Sequence, residues 1–377
     1  MLIALAILGA SCDHKPAPTP ATSAGAAKTA TGAARSASPA GAATGAKAAL
    51  GARGAPIAMV ATDAGIAVVT GSGRGIELRR YDSGGKQIGS PTLLAREARV
   101  ADVAAAAVGD RLGVAWIEPG VRVGAAYSVI AGTRGTGFGE VHHLGDVAAA
   151  AARKGGPLVA RAEDGKLLVF RSGPAEPCRD NAEDQCTSFL VQELMTDGPE
   201  PRRIPLSVPA VCERGVAAFS ATPGQWLYGV CSRKSGAPVT TIFRVQFSPQ
   251  YAVANEVLRG CMPRGSAVID DKILTLGDCA EGRRAVRSVT AVGAQTEVDW
   301  SRAHVECDRG GPALVVGAER TPFGKISGDL SALLPDEFVP PGARAVFTGV
   351  ALFVGAASAD GAELTRFECR AGKLVST

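Results

Sequence analysis

The four histidines are the scarcest chemistry-bearing residues of this 377-residue chain, and their spacing limits what they can do. His142 and His143 are adjacent in a strand-like run, so their side chains point to opposite faces. A metal site there needs ligands from elsewhere. His304 and Glu306 stand two apart on a predicted strand and share one face. Such a pair can act as general acid and base, or be an ordinary ion pair on an exposed strand, and the exposed pair is the expectation. His14 lies in a segment without large apolar side chains.

The second candidate is the loop from Cys178 to Cys186. Its Asp180, Asn181, Glu183 and Asp184 offer the hard oxygen donors that calcium takes. The spacing is not that of an EF-hand and the turn glycine is missing, so a solvated loop between paired cysteines is expected first and calcium second. Gly71-Ser72-Gly73-Arg74-Gly75 is glycine-rich like a phosphate-binding loop, but such loops open a helix, and here a strand-like run, Ile76–Tyr81, follows. No G-x-S-x-G, H-E-x-x-H or Walker sequence occurs. No catalytic residue and no cofactor is therefore assigned, and the reading leans away from an enzyme. Aromatic residues make up 5% of the chain, which is few for a face that stacks sugars, so Trp116, Trp226 and Trp300 are expected in the core.

Nine cysteines are present, an odd number. Setting Cys12 aside leaves an even set, the arithmetic of disulfides in an exported chain. Cys212 and Cys231 are 19 apart, and Cys261 and Cys279 are 18 apart in corresponding places of the next repeat unit. Cys178 and Cys186 bracket their loop, which leaves Cys307 and Cys369 to link the last two units. Close C-x-x-C pairs and attendant histidines are missing, so zinc is not expected.

Cys12 ends the run Met1-Leu2-Ile3-Ala4-Leu5-Ala6-Ile7-Leu8-Gly9-Ala10-Ser11. That run is too short to span a bilayer, which takes about 20 residues, but it has the apolar core and small final residues of a secretory signal. Small residues directly before a cysteine resemble a bacterial lipoprotein signal. The resemblance implies cleavage before Cys12 and lipidation of that residue, with residues 1–11 as signal peptide. The mature chain would sit in the bacterial cell envelope, lipid-anchored and periplasmic or surface-facing. Residues 16–49 contain only Ala, Gly, Ser, Thr and Pro apart from Lys28, Arg35 and Lys47. Nothing there can offset the entropy of ordering, so residues 12–55 read as a disordered tether with a reach of roughly 35 Å.

The net charge of +4 is a property of that tether. Residues 1–55 carry five basic groups and one acid, and residues 56–377 carry 35 of each. A balanced domain lacks the electrostatic footprint of nucleic-acid binding, whereas a cationic tether suits an anionic lipid surface.

The elements that must position any site are short strands. Apolar runs pair across Gly- and Asp-rich turns: Ile57–Ala61 with Ile66–Thr70, Val103–Val108 with Leu112–Ile117, and Leu158–Ala162 with Lys166–Phe170. Ala267–Ile269 pairs with Lys272–Leu276, and Val346–Thr348 with Val350–Val354 across Gly349. Helical periodicity is nearly absent. The hairpins recur about every 45 residues, a period similar to that of four-stranded propeller blades. Units fall at 56–97, 98–145, 146–205, 206–258, 259–303, 304–342 and 343–377. The expected fold of residues 56–377 is therefore all-β: a β-propeller with seven blades preferred and six or eight possible, or else tandem β-sandwiches. The sequence points to a monomeric envelope protein that binds a protein or polymer partner without catalysis. The alternative is a propeller-based glycan hydrolase or lyase with carboxylates gathered at a central channel.

Overall fold

The computed structural model describes most of residues 57–117 and 261–377 with side chains, and strands at 48–51 and between 131 and 259 chiefly by backbone. Cys12, His14, His142, His143 and the loop residues Asp180, Asn181, Glu183 and Asp184 lie outside the described residues. All described strands belong to one compact unit, Ala42–Thr377.

Strand β1 (Ala48–Gly51) comes first. A meander of β2 (Ile57–Thr62), β3 (Gly65–Ser72), β4 (Gly75–Asp82) and β5 (Thr92–Arg96) forms one sheet. Next come β6 (Asp102–Val108), β7 (Arg111–Ile117) and β8 (Ala131–Gly132). Two further meanders follow: β9 (Leu158–Glu163), β10 (Lys166–Pro177), β11 (Gln185–Glu193) and β12 (Arg202–Pro205), then β13 (Ala217–Phe219), β14 (Trp226–Ser232), β15 (Val239–Phe247) and β16 (Gln250–Arg259). The fifth sheet holds β17 (Cys261–Ile269), β18 (Lys272–Cys279), β19 (Arg284–Thr290) and β20 (Gln295–Glu297). The sixth holds β21 (His304–Asp308), β22 (Gly311–Val316) and β23 (Glu319–Pro322). After β24 (Ile326–Gly328) and the short helix α1 (Leu330–Leu333), the last sheet is built from β25 (Arg344–Phe347), β26 (Leu352–Ser358), β27 (Gly361–Arg370) and β28 (Lys373–Ser376). Among the described residues there are thus seven antiparallel sheets, and each expected unit supplies the main strands of one. The unit is all-β and β-propeller-like.

Local chemistry explains the hairpins. In β2 and β3 the register runs from Ile57↔Thr70 to Thr62↔Gly65, so alternate residues share a face. Ile57, Ile66, Val68 and Tyr81 turn to one side, while Ala58, Ala67, Val69, Ile76 and Leu78 turn to the other. Both faces of this sheet are therefore apolar, as a sheet with neighbours on both sides requires. Gly65 has φ +141°, and a Cβ there would lie 2.2 Å from the Tyr81 carbonyl oxygen, so glycine permits the close turn. Gly71–Gly75 belongs to the hairpin between β3 and β4, with Ser72 opposite Gly75.

Where first strands of sheets meet, β2 packs on β6, β6 on β9, β13 on β17, and β25 on β2, and these strands form an inner layer, whereas β21 of the sixth sheet meets β27 and β28 instead. Two features depart from the sequence reading. Ala48–Gly51, assigned by sequence to the tether, is a strand: Ala48 pairs with Leu364 and Gly51 with Ala362 on β27. The segment β24–α1 also leaves its own sheet. It pairs with the inner edge of β17, matching Ala267↔Gly328 to Ile269↔Ile326, and lies against β13 and β25. A short helix thus follows β24 within the unit 304–342, where the sequence reading expected strands alone in outline and named no element at these residues. Leu330, Leu333, Leu334 and Val339 are buried there with Leu276, Phe323 and Leu352, and burial of such side chains is what draws the segment inward.

Candidate functional site

The described cysteines form two bonds. Cys261 is joined to Cys279 directly across the β17–β18 ladder, with Cα atoms 4.0 Å apart. Cys307 on β21 is joined to Cys369 on β27, tying the sixth sheet to the last. Cys178 and Cys212 lie outside the described residues, and Cys186 and Cys231 are described only as backbone of β11 and β14.

His304 and Glu306 share a face of β21, and their side chains meet at 3.1 Å. The other ring nitrogen, Nδ1, lies 2.9 Å from the Arg302 carbonyl oxygen. Both imidazole nitrogens thus face acceptors, and only the imidazolium can donate to both. The Arg302 carbonyl, then the Glu306 carboxylate, raise the His304 pKa above its usual value. The imidazole and carboxylate are 53% and 52% exposed, so water competes for both. This is an ion pair on an exposed strand, not a shielded acid–base dyad. Further along the same strand, Asp308 pairs with Arg320 of β23 at 2.6 Å.

Two polar groupings that the sequence reading did not single out sit between the last and first sheets. Arg366 on β27 donates from Nε to the Ser83 carbonyl oxygen at 2.8 Å and from another guanidinium nitrogen to Thr377 Oγ1 at 2.7 Å. It also pairs with Glu368, and its guanidinium carbon lies 6.0 Å from the Phe353 ring centroid. Arg366 and Arg370 hold the Glu368 carboxyl below its usual pKa, Arg366 more strongly. On the facing side Glu77 accepts from Arg79 at 3.2 Å, and Tyr81 is buried with its pKa raised by burial and opposed by Arg79. Spacing along one strand could not reveal the Arg366 contacts, because Ser83 is 283 residues away.

Trp116 and Trp300 are buried in apolar clusters, as expected of core residues. Asp299 accepts from the Ser301 amide at 3.0 Å and so caps the 3-10 turn Trp300–Arg302. Among the described residues no three His, Cys, Asp or Glu side chains gather as metal ligands.

The chain matches no protein-family profile and no curated protein. Among solved structures it is similar to the BP39L lectin from Burkholderia pseudomallei at 15% identity and a TM-score of 0.51, covering 86% of this chain and 98% of that one. It is also similar to the SapL1 lectin in complex with alpha methyl fucoside, at 12% identity and a TM-score of 0.48, covering 85% and 94%. A third is YCF48 from Cyanidioschyzon merolae, at 12% identity and a TM-score of 0.45, covering 83% and 95%. At these identities the likeness to BP39L speaks for the arrangement of strands and not for a ligand: the chain carries an all-β, β-propeller-like unit.

Proposed function

We propose that the chain is a cell-envelope lipoprotein, anchored through Cys12, whose β-propeller-like unit binds a protein or polymer partner without catalysing a reaction. The observation that carries the binding half is the β24–α1 segment. An enzyme on such a fold converges carboxylates on its inner strands, whereas here Leu330, Leu333 and Leu334 pack among β17 and β25. On this reading the loops and outer faces supply the contact surface. The anchoring half rests on the run before Cys12, on the small-residue tether, and on disulfides that suit an oxidising compartment.

Intact-mass measurement of membrane-extracted protein tests the anchor. Acylation at Cys12 with no free thiol is expected, and Cys12→Ser should move the chain to the soluble fraction. A chain cleaved elsewhere overturns the anchor. Binding is tested on immobilised envelope glycans, offered first because BP39L is a lectin, and on purified envelope proteins. Retention with the probe recovered unchanged is expected; release of a cleaved glycan refutes the non-catalytic reading.

A further inference from the structure

We propose that β1 is a strap that holds the seam between the last and first sheets shut, and that a pull on the chain before it withdraws the strap and opens the seam before the rest of the unit unfolds. The proposal rests on the anchoring reading only for the origin of the pull.

This seam joins sheets that lie at opposite ends of the compact unit, 57–96 and 344–376, so chain connectivity does not hold it. Three things do. An apolar cluster joins Ile66, Val68 and Tyr81 to Phe353, Ala362 and Leu364. Arg366 reaches across to the Ser83 carbonyl. The third is β1, which pairs with the first part of β27 and lies against β3 of the first sheet.

Of these, β1 is built to yield first. It is four residues long, Ala-Ala-Leu-Gly, and its register slips between Ala49 and Gly51. Its pairs cover Ala362–Leu364, while β28 independently covers Phe367–Arg370. Losing β1 therefore bares the backbone edge of β27 beside Ala362 and Leu364, both members of the seam cluster. Being the first of the described strands, β1 also meets a load from the N-terminal side before the other described strands do. The two described disulfides lie elsewhere, within the fifth sheet and between the sixth and last. Neither crosses the seam.

The test pulls the full chain in optical tweezers, with one handle at the N-terminus and the other on an azide-bearing residue replacing Val350. Val350 is 67% exposed, and loading there spares the C-terminal hairpin. Release of residues 48–56 should give a first step of no more than about 3 nm, at roughly 3.5 Å per residue, ahead of the main unfolding event. Ala48→Pro/Ala49→Pro should abolish that step, since proline removes the ladder donor. In the same variant, amide hydrogen exchange should quicken in 57–70 and 351–366 but not in 261–279. A first event that unfolds the whole unit, or quickened exchange confined to 48–51, overturns the proposal. Neither measurement uses lipid or partner, so failure of the anchoring reading would appear in the mass analysis and leave these results standing.

Discussion

Removing the Cys307–Cys369 bond should cost more than removing Cys261–Cys279. The separations are 62 and 18 residues. In the chain-entropy treatment, closing loops of those lengths in the unfolded state is worth about 4.3 and about 3.2 kcal/mol. For a compact unit of Ala42–Thr377 the unfolding entropy is roughly 0.7 kcal/mol/K, so the expected losses in Tm are about 6 °C and about 4.5 °C. The native side widens the gap. Cys261 and Cys279 face each other on strands already paired through to Ile269↔Lys272, whereas β21 meets β27 and β28 by packing alone. The assay compares Cys307→Ala/Cys369→Ala with Cys261→Ala/Cys279→Ala by calorimetry, leaving the other cysteines in place. Cys261 and Cys307 are both buried, so the side-chain deletions are similar, and loop length and native pairing push the difference in the same direction. A larger Tm loss in the Cys261–Cys279 variant would refute the reasoning.

Gly85 has φ +84°, and a Cβ there would lie 3.2 Å from Arg366 Cδ, so Gly85→Ala should destabilise by about 1–2 kcal/mol in urea unfolding. Arg366→Ala removes the bonds to Ser83 and Thr377 and should cost roughly 1–3 kcal/mol, read in the same way. Leu333→Ala empties a fully buried site beneath the inner strands and should cost about 2–5 kcal/mol, while the far-ultraviolet spectrum stays that of a β protein. The His304 pKa is raised by folding, so its stabilising contribution is full below pH 6.5 and is lost as pH rises through the folded-state value. An NMR titration should show His304 with a raised midpoint that Glu306→Gln lowers; an unchanged midpoint in that variant would remove Glu306 as a cause.

What could be read in the sequence was what neighbouring residues decide. The hairpins expected at 57–70, 103–117 and 158–170 follow from short apolar runs and tight turns, and their strands pair antiparallel. At the last hairpin Gly349 was expected in the turn and lies there with φ +89°, inside the four residues Thr348–Ala351 that the Thr348 amide closes by donating to the Ala351 carbonyl at 3.0 Å. The placement of His304 and Glu306 on one face was also legible, since period two needs no tertiary information. Two signals were present but weak. Leu50 is the first large aliphatic residue after Leu8, and Leu330-Ser331-Ala332-Leu333-Leu334 before Pro335 has the look of a helical turn.

The sequence by itself therefore determined an all-β chain of recurring hairpins, a charge-balanced globular part, and an odd cysteine count. The hairpins depend on residues close together in the chain, and the charge balance and cysteine count are sums over composition that need no fold. The tertiary structure alone decided that Ala48–Gly51 joins β27, that β24–α1 packs among the inner strands, and that Arg366 reaches Ser83. Each of those contacts closes a long loop, and its energy comes from surfaces that exist only after other sheets have formed. Until then Leu333 and Arg366 have no partners to distinguish them from any other leucine or arginine.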